Sequence, residues 1–275
     1  MLESQQEYLK LSPYSLNKND KREQFTKYMN ELTRYHYQNS AEYKKMLDGL
    51  NYSQENFYQL EDLPMLPIGL FKEYELCSVP KDKIVRTMKS SGTSGQKQSK
   101  VLLDSNTTRA QTRCLSYIIA DFIGNKRLPM IILDSELVKK DPRLFSARGA
   151  GIIGFAIFGR DVFYALDNDM NLRVDELKDF IAKHNDSNII LSGYTYIVWK
   201  FFQQALADKN IFLDIAKGFL FHIGGWKKLI AEAVTADIYR DSLKKVCGNI
   251  QVQDYYGMAE QLGSVFVECE HGHKH

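Results

Sequence analysis

No stretch of this sequence is long and apolar enough to be a bilayer-spanning helix. The most apolar segment, Gly149 to Gly159 (GAGIIGFAIFG), is 11 residues long, against the roughly 20 that a spanning helix needs. The chain also lacks a secretory start, because MLESQQEYLK carries acidic and polar groups where a signal needs a basic residue followed by an apolar run. Cys77, Cys114, Cys247 and Cys269 show no CxxC spacing, and a chain of 275 residues buries enough core to need no disulfides. No sign of charge dominates: 25% of residues are charged and the net charge is +2, which implies neither long disorder nor a polyanion-binding field. There is no repeat at solenoid periods and no low-complexity tract. These absences predict a cytoplasmic globular protein with reduced thiols, no membrane span and no nucleic-acid partner.

What is present has two textures. Between Lys21 and Tyr37 the apolar residues Phe25, Tyr28, Met29, Leu32 and Tyr35 recur at helical spacing, with Asp20 as the expected N-cap. A second helix over Ala41 to Leu47 should end at Gly49, and the prolines of Asp62-Leu63-Pro64-Met65-Leu66-Pro67 break any helix there. From about Lys83 the pattern changes to apolar β-branched runs alternating with helical stretches, the pattern of a mostly parallel sheet with crossover helices. The expected strands are Leu128 to Leu133, Ile152 to Phe158, Asn188 to Leu191, Gly218 to Ile223 and Ile250 to Val252. The expected helices are Asn106 to Phe122, Val174 to Lys183, Ile197 to Asp208 and Lys227 to Val246. The fold class is therefore α/β, organised as a helical N-terminal layer over residues 1–82 packed on an α/β core over residues 83–275.

The sharpest local feature is the loop Ser90-Ser91-Gly92-Thr93-Ser94-Gly95-Gln96-Lys97-Gln98-Ser99-Lys100. Glycines let the backbone approach an anion, hydroxyls add donors, and lysine adds a compact positive charge. The loop is no P-loop, since that template needs four residues between its glycines and Gly92 and Gly95 enclose two. Downstream, His222-Ile223-Gly224-Gly225-Trp226-Lys227-Lys228 follows a strand, and adjacent glycines at a strand end leave a flat backbone surface for a base. Last comes Asp254-Tyr255-Tyr256-Gly257-Met258-Ala259-Glu260-Gln261. Taken singly, each segment is also compatible with an ordinary turn.

In this order the segments resemble those of the adenylate-forming superfamily, whose phosphate loop reads [ST]-[ST]-G-T-[ST]-G-x-P-K and whose adenine segment reads Y-G-x-T-E. Ser90 to Gly95 fit the first pattern; after Gly95 there is no proline, and Lys97 and Lys100 both stand near the single lysine position. Tyr256, Gly257 and Glu260 fit the second, with Ala259 in place of threonine. With FSARGAG (Phe145 to Gly151) and DYYGMAEQLGS, the chain is similar to the acyl-protein synthetase (LuxE-like) family over nearly its whole length. The resemblance implies that ATP binds at Ser90, Ser91, Gly92, Thr93, Ser94, Gly95, Lys97, Gly224, Gly225, Asp254, Tyr256 and Gly257. Tyr256 then stacks on adenine, Asp254 accepts from the adenine amine, Glu260 holds Mg2+, and Lys100 and Thr93 join Glu260 as catalytic residues.

The implied reaction activates a long-chain fatty acid as its acyl-adenylate for transfer to a protein thiol. Bringing a carboxylate to the α-phosphate of ATP joins two anions, so the catalytic demand is preorganised positive charge. An acyl tunnel is expected at GAGIIGFAIFG and at Gly193 to Trp199, where core packing is the plainer reading. The tail Cys269 to His275 spaces cysteine and histidines alternately, but a free end is poorly preorganised and no zinc is expected. His222, Asp104 and Asp134 are read as structural. Other readings are a ligase joining another carboxylic acid to coenzyme A or a carrier protein, and a noncatalytic partner module retaining the fold. The superfamily's ribose-binding acid, C-terminal lysine and the family's acyl-accepting cysteine all lie beyond the Y-G-x-x-E segment, and only fifteen residues follow Glu260. This predicts ATP binding with impaired turnover unless an acyl-accepting protein or a C-terminal half is supplied; robust fatty-acid-dependent pyrophosphate exchange by the chain alone would contradict it.

Overall fold

The computed structural model describes residues 3–90, 97–140, 147–215, 217–262 and 265–274. Ser91, Gly92, Thr93, Ser94 and Gly95 of the expected phosphate loop, and Phe145 and Ser146 of FSARGAG, lie outside the described residues. The chain divides into two compact units: the described residues up to Phe122 together with 257–262, and residues 123–256 together with 265–274.

In the first unit the helix Lys18–Asn39 begins earlier than the apolar spacing indicates. Asn17, not Asp20, is its cap, its side chain accepting from the backbone N–H groups of Asn19 and Asp20. Asp20 instead lies in the first turn, where a carboxylate suits the helix dipole. The buried line of this helix is polar, made of Thr26, Asn30 and Thr33, while Phe25 stays exposed. Asn30 explains the inversion: its amide donates to the carbonyl of Tyr58 at 2.8 Å and accepts from the Tyr58 N–H at 2.9 Å, tying the helix to the segment behind it. Ser40 separates this helix from Ala41–Gly49, its N–H closing the first and its hydroxyl accepting from Tyr43 of the second.

The change of pattern near Lys83 marks an antiparallel hairpin, β1 (Ile84–Lys89) and β2 (Lys100–Asp104), which periodicity did not show. Most of β1 is exposed, so no alternation of buried and solvated residues marks it. Ser90 N–H donates to the Ser99 carbonyl at 3.1 Å and Ser99 N–H to the Ser90 hydroxyl at 2.9 Å, clamping the root of the Ser/Gly loop. Asp104 then accepts from Thr107 N–H at 2.7 Å at the start of the helix Ser105–Ile123.

The second unit is built on a six-stranded sheet of β3 (Leu128–Ser135), β4 (Gly159–Leu166), β5 (Ile189–Tyr194), β6 (Gly218–Ile223), β7 (Gln251–Gly257) and β8 (Val265–Val267), in the order β4-β3-β5-β6-β7-β8. The first five strands in that order pair in parallel, which makes the fold α/β as expected. Every residue of β5 and all but one of β3 are buried, as befits strands covered on both faces. The core runs through Ile131, Leu133, Leu191 and Leu220 of the sheet to Leu177, Val198, Phe202 and Leu243 of the helices. Because β4 lies on one side of β3 and β5 on the other, the chain reverses its winding between β3 and β5, the kind of position at which open parallel sheets bind ligands beyond their carboxyl ends.

Two expected elements differ. Ile152 to Phe158 is not a strand but the end of the helix Ala147–Phe155 and a 3-10 turn Ala156–Phe158, with the strand following from Gly159. A short apolar run reads alike as buried helix or buried strand, and the exposed Arg160, Asp161 and Val162 mask the start of the edge strand β4. The single helix expected over Lys227 to Val246 is a 3-10 stretch, Lys227–Glu232, and a separate helix, Ala236–Cys247, capped by Thr235. Val174–Lys183 forms as expected, and Thr195–Ile197, a π-helical stretch Val198–Gln203 and Gln204–Asp208 make one continuous helical run. No described helix is long and apolar enough to cross a membrane. Phe202 is fully buried in the core of the second unit, so Phe202→Ala is expected to cost about 3–5 kcal/mol, read as a lower denaturant midpoint for that unit.

Candidate functional site

The loops that leave β5 and β6 are joined by one hydroxyl. Thr195 Oγ1 lies 2.6 Å from the Gly224 carbonyl and 3.0 Å from His222 Nδ1. A hydroxyl has one proton, and the carbonyl can only accept, so Thr195 donates to Gly224 and His222 Nδ1–H donates to Thr195. The ring is thereby set as the Nδ1–H tautomer. Burial pushes the His222 pKa down to about 3, opposed by the Glu268 carboxylate and reinforced by Lys274 and Arg240. His222 is a neutral structural imidazole at neutral pH.

Beside this junction opens a cavity of ≈ 280 Å³ lined by Gly224, Gly225, Trp226, Tyr239, Asp254 and Glu268, among others. Gly224 has φ +84°, and a Cβ there would approach the Tyr194 ring to 3.1 Å. At Gly225 a Cβ would meet no atom within 4 Å, so its surface is open. Tyr239 closes the back of the cavity, stacked on Trp199 at 5.6 Å and donating to the Thr195 carbonyl at 3.2 Å. Its burial holds the phenol protonated.

Asp254 reaches the cavity because β6 and β7 run parallel with His222 opposite Asp254. One carboxylate oxygen takes an ion pair from Lys274 at 2.5 Å, and the other is 3.7 Å from His222 Nδ1. Glu268 fastens the backbone of Asp254, its N–H donating to the Asp254 carbonyl at 2.8 Å and its Oε2 accepting from Asp254 N–H at 3.2 Å. Arg240 in turn holds Glu268 and Asp237, each at 2.7 Å. Sequence reasoning gave Thr195, Arg240, Glu268 and Lys274 no part in this site, because they lie far apart in the chain and meet only through the fold.

The expected site residues thus fall in two groups. Gly224, Gly225 and Asp254 share the cavity of the second unit, while Tyr256, at the end of β7, is 49% exposed and is not part of its lining. Ser90, Lys97, Lys100, Gly257 and Glu260 belong to the first unit. Lys97 pairs with Glu73 at 2.7 Å. Lys100 stands directly opposite Lys89 across the hairpin; like charges in that position repel, so the root of the Ser/Gly loop concentrates positive charge. Among the described residues no cluster of three or more His, Cys, Asp or Glu side chains is placed to hold a metal. A larger hollow of the first unit, ≈ 660 Å³ beside Tyr8, Lys27 and Phe57, contains none of the expected site residues.

In the first expected tunnel segment Phe155 is buried while Ile153 is exposed. Phe155 lies against Phe158, Phe221 and Tyr255. Asp134, fully buried at the end of β3, holds the Arg148 guanidinium, with Nε at 2.8 Å from Oδ2.

In fold the chain is similar to adenylate-forming ligases. It superposes on 2-hydroxyisobutyryl-CoA ligase in complex with 2-HIB-AMP and CoA in the thioesterification state with a TM-score of 0.68, at 14% identity over 94% of this chain and 54% of that one. The same ligase in its postadenylation state gives 0.64, at 13% identity over 92% and 53%. This chain therefore spans about half the length of those ligase chains. The chain belongs to the family described as acyl-protein synthetase, LuxE, which it matches over residues 3–275. No curated protein matches it.

The depressed pKa of His222 has a measurable consequence. The unfolded chain takes up a proton near pH 6.5 that the folded chain refuses until about pH 3. This group's contribution to stability is complete above pH 6.5 and is lost as pH falls through that window. Between pH 6 and 4.5 the wild type should lose up to about 1.4 kcal/mol per pH unit more than His222→Gln, measured by chemical denaturation; parallel profiles would show that His222 is not buried neutral.

Proposed function

We propose that this chain is the nucleotide-binding part of an acyl-adenylate-forming enzyme that activates a long-chain fatty acid with ATP for transfer to a protein thiol. The observation that carries this reading is the convergence of Gly224, Gly225 and Asp254 on one cavity, in a chain of the acyl-protein synthetase family. Adenine lies on the open backbone face of Gly225, and Asp254 accepts from its amine with the carboxylate oxygen that Lys274 leaves unpaired. Tyr256, exposed at the strand end, stacks on the base. The triphosphate goes to the loop of Ser90, Ser91, Gly92, Thr93, Ser94 and Gly95. Lys100 is the better phosphate cation, because Lys97 is engaged by Glu73; Gly257 lets the backbone pass and Glu260 holds Mg2+.

The site suits a nucleotide where it can be tested against geometry: a flat, Cβ-free surface at Gly225 and an oriented carboxylate beside it. For magnesium the fit is a single protein carboxylate, Glu260, which needs phosphate oxygens as further ligands, as is usual for this ion. When bound, magnesium neutralises charge on the triphosphate as the carboxylate approaches. The chain's own residues orient the base, exclude water around Trp226 and Tyr239, and supply lysine charge at the hairpin.

Coenzyme A is the alternative thiol acceptor, supported by its presence in the complex of the superposed 2-hydroxyisobutyryl-CoA ligase; acceptor assays with coenzyme A and with a candidate protein thiol distinguish the two. Because a Cβ at Gly225 meets nothing, Gly225→Val should keep the wild-type Tm and weaken ATP binding by about tenfold or more, by filling the base surface. Calorimetric titration with MgATP measures this, and unchanged affinity in the variant would remove adenine from this cavity.

A further inference from the structure

The carboxyl ends of β5 and β6 carry a second constellation. Lys227, two residues after Gly225, has its ammonium 5.2 Å from the centre of the Tyr194 ring and 5.7 Å from that of Tyr196. Its backbone is in the left-handed region, φ +48°, an unfavourable conformation for a residue with a Cβ that is characteristic of functional sites. Lys227 has no carboxylate partner among the described residues, although Glu232 of the same turn is paired, with Lys200. The Arg148 guanidinium lies close enough to act electrostatically on both phenols, and Arg148 is held by the buried Asp134. Burial raises both phenols, that of Tyr194 to about 12, so each hydroxyl keeps its proton. Between them stands Thr195, whose hydroxyl ties this loop to Gly224 at the edge of the nucleotide cavity.

We infer that Lys227, seated over the rings of Tyr194 and Tyr196, is an oxyanion-binding residue at the carboxyl ends of β5 and β6, next to the nucleotide cavity. The inference rests on the proposed nucleotide site and adds to it the group that meets an anion at its edge. The general physical reasons are independent of that reading. A strained lysine without an acid partner is a cation held ready, its cation–π contacts localise it without neutralising its charge, and the carboxyl ends of parallel strands are where ligands bind. The oxyanion is either a phosphoryl group of the nucleotide or the carboxylate of the acid substrate.

The experiment uses the full chain, with calorimetric titration of adenosine, AMP and dodecanoate against wild type, Lys227→Met, Lys227→Arg and Lys227→Gly. If Lys227 takes the phosphoryl group, Lys227→Met binds AMP about tenfold more weakly and adenosine as before. If it takes the carboxylate, AMP binding is unchanged and dodecanoate binding in the presence of AMP falls by a similar factor. In either case Lys227→Arg restores most of the loss, and Lys227→Gly, relieved of the left-handed strain, loses the oxyanion while its Tm stays at or above that of the wild type. Lys227→Met matching the wild type for both AMP and dodecanoate, with adenosine still bound, overturns the role of Lys227 and leaves the nucleotide site standing. A wild type that binds neither adenosine nor AMP overturns both.

Discussion

The second unit turns on the hydroxyl of Thr195. Its proton goes to the Gly224 carbonyl and its oxygen takes the proton of His222 Nδ1, so one side chain joins the ends of two parallel strands and sets the tautomer of a third group. An imidazole this deeply buried would be costly to charge, and its depressed pKa removes that cost at neutral pH. Because the loop after β6 is held to the loop after β5, Gly224 can keep its positive φ, Gly225 presents an open face, and Lys227 comes over Tyr194 and Tyr196. Both the cavity at Gly225 and the position of Lys227 depend on that junction.

Around Asp254 charge is arranged in a chain rather than in isolated pairs. Asp254 is held by Lys274 through its side chain and by Glu268 through its backbone, and Glu268 is held by Arg240. Partly exposed ion pairs contribute little stability individually; their effect here is to orient one carboxylate at the cavity edge. The facing Lys89 and Lys100 of the hairpin work in the opposite sense. Their repulsion costs stability.

The parallel sheet and most of its helices were legible because their periodicities are strong: Gly218–Ile223 and Val174–Lys183 form over the residues that their patterns indicate. Errors fell where packing overrides pattern. The run through Ile152 to Phe158 is equally apolar as helix or strand, and only the space beside β3 decided for helix. The N-terminal helix buries Thr26, Asn30 and Thr33 rather than its larger side chains, because Asn30 satisfies the backbone of Tyr58.

The sequence by itself determined the fold class, the family and the order of three ligand-type segments, since these rest on local composition: glycines where backbone must be bare, hydroxyls and lysines near an anion, apolar runs at strand length. The tertiary structure alone decided that Asp254 meets Gly224 and Gly225, that Lys274, Glu268 and Arg240 orient it, and that Lys227 stands over two tyrosines. Those contacts join neighbouring strands, the helix Ala236–Cys247 and the segment after β8, and strand neighbours are set by how the crossover helices pack, a long-range choice that no short window of sequence records.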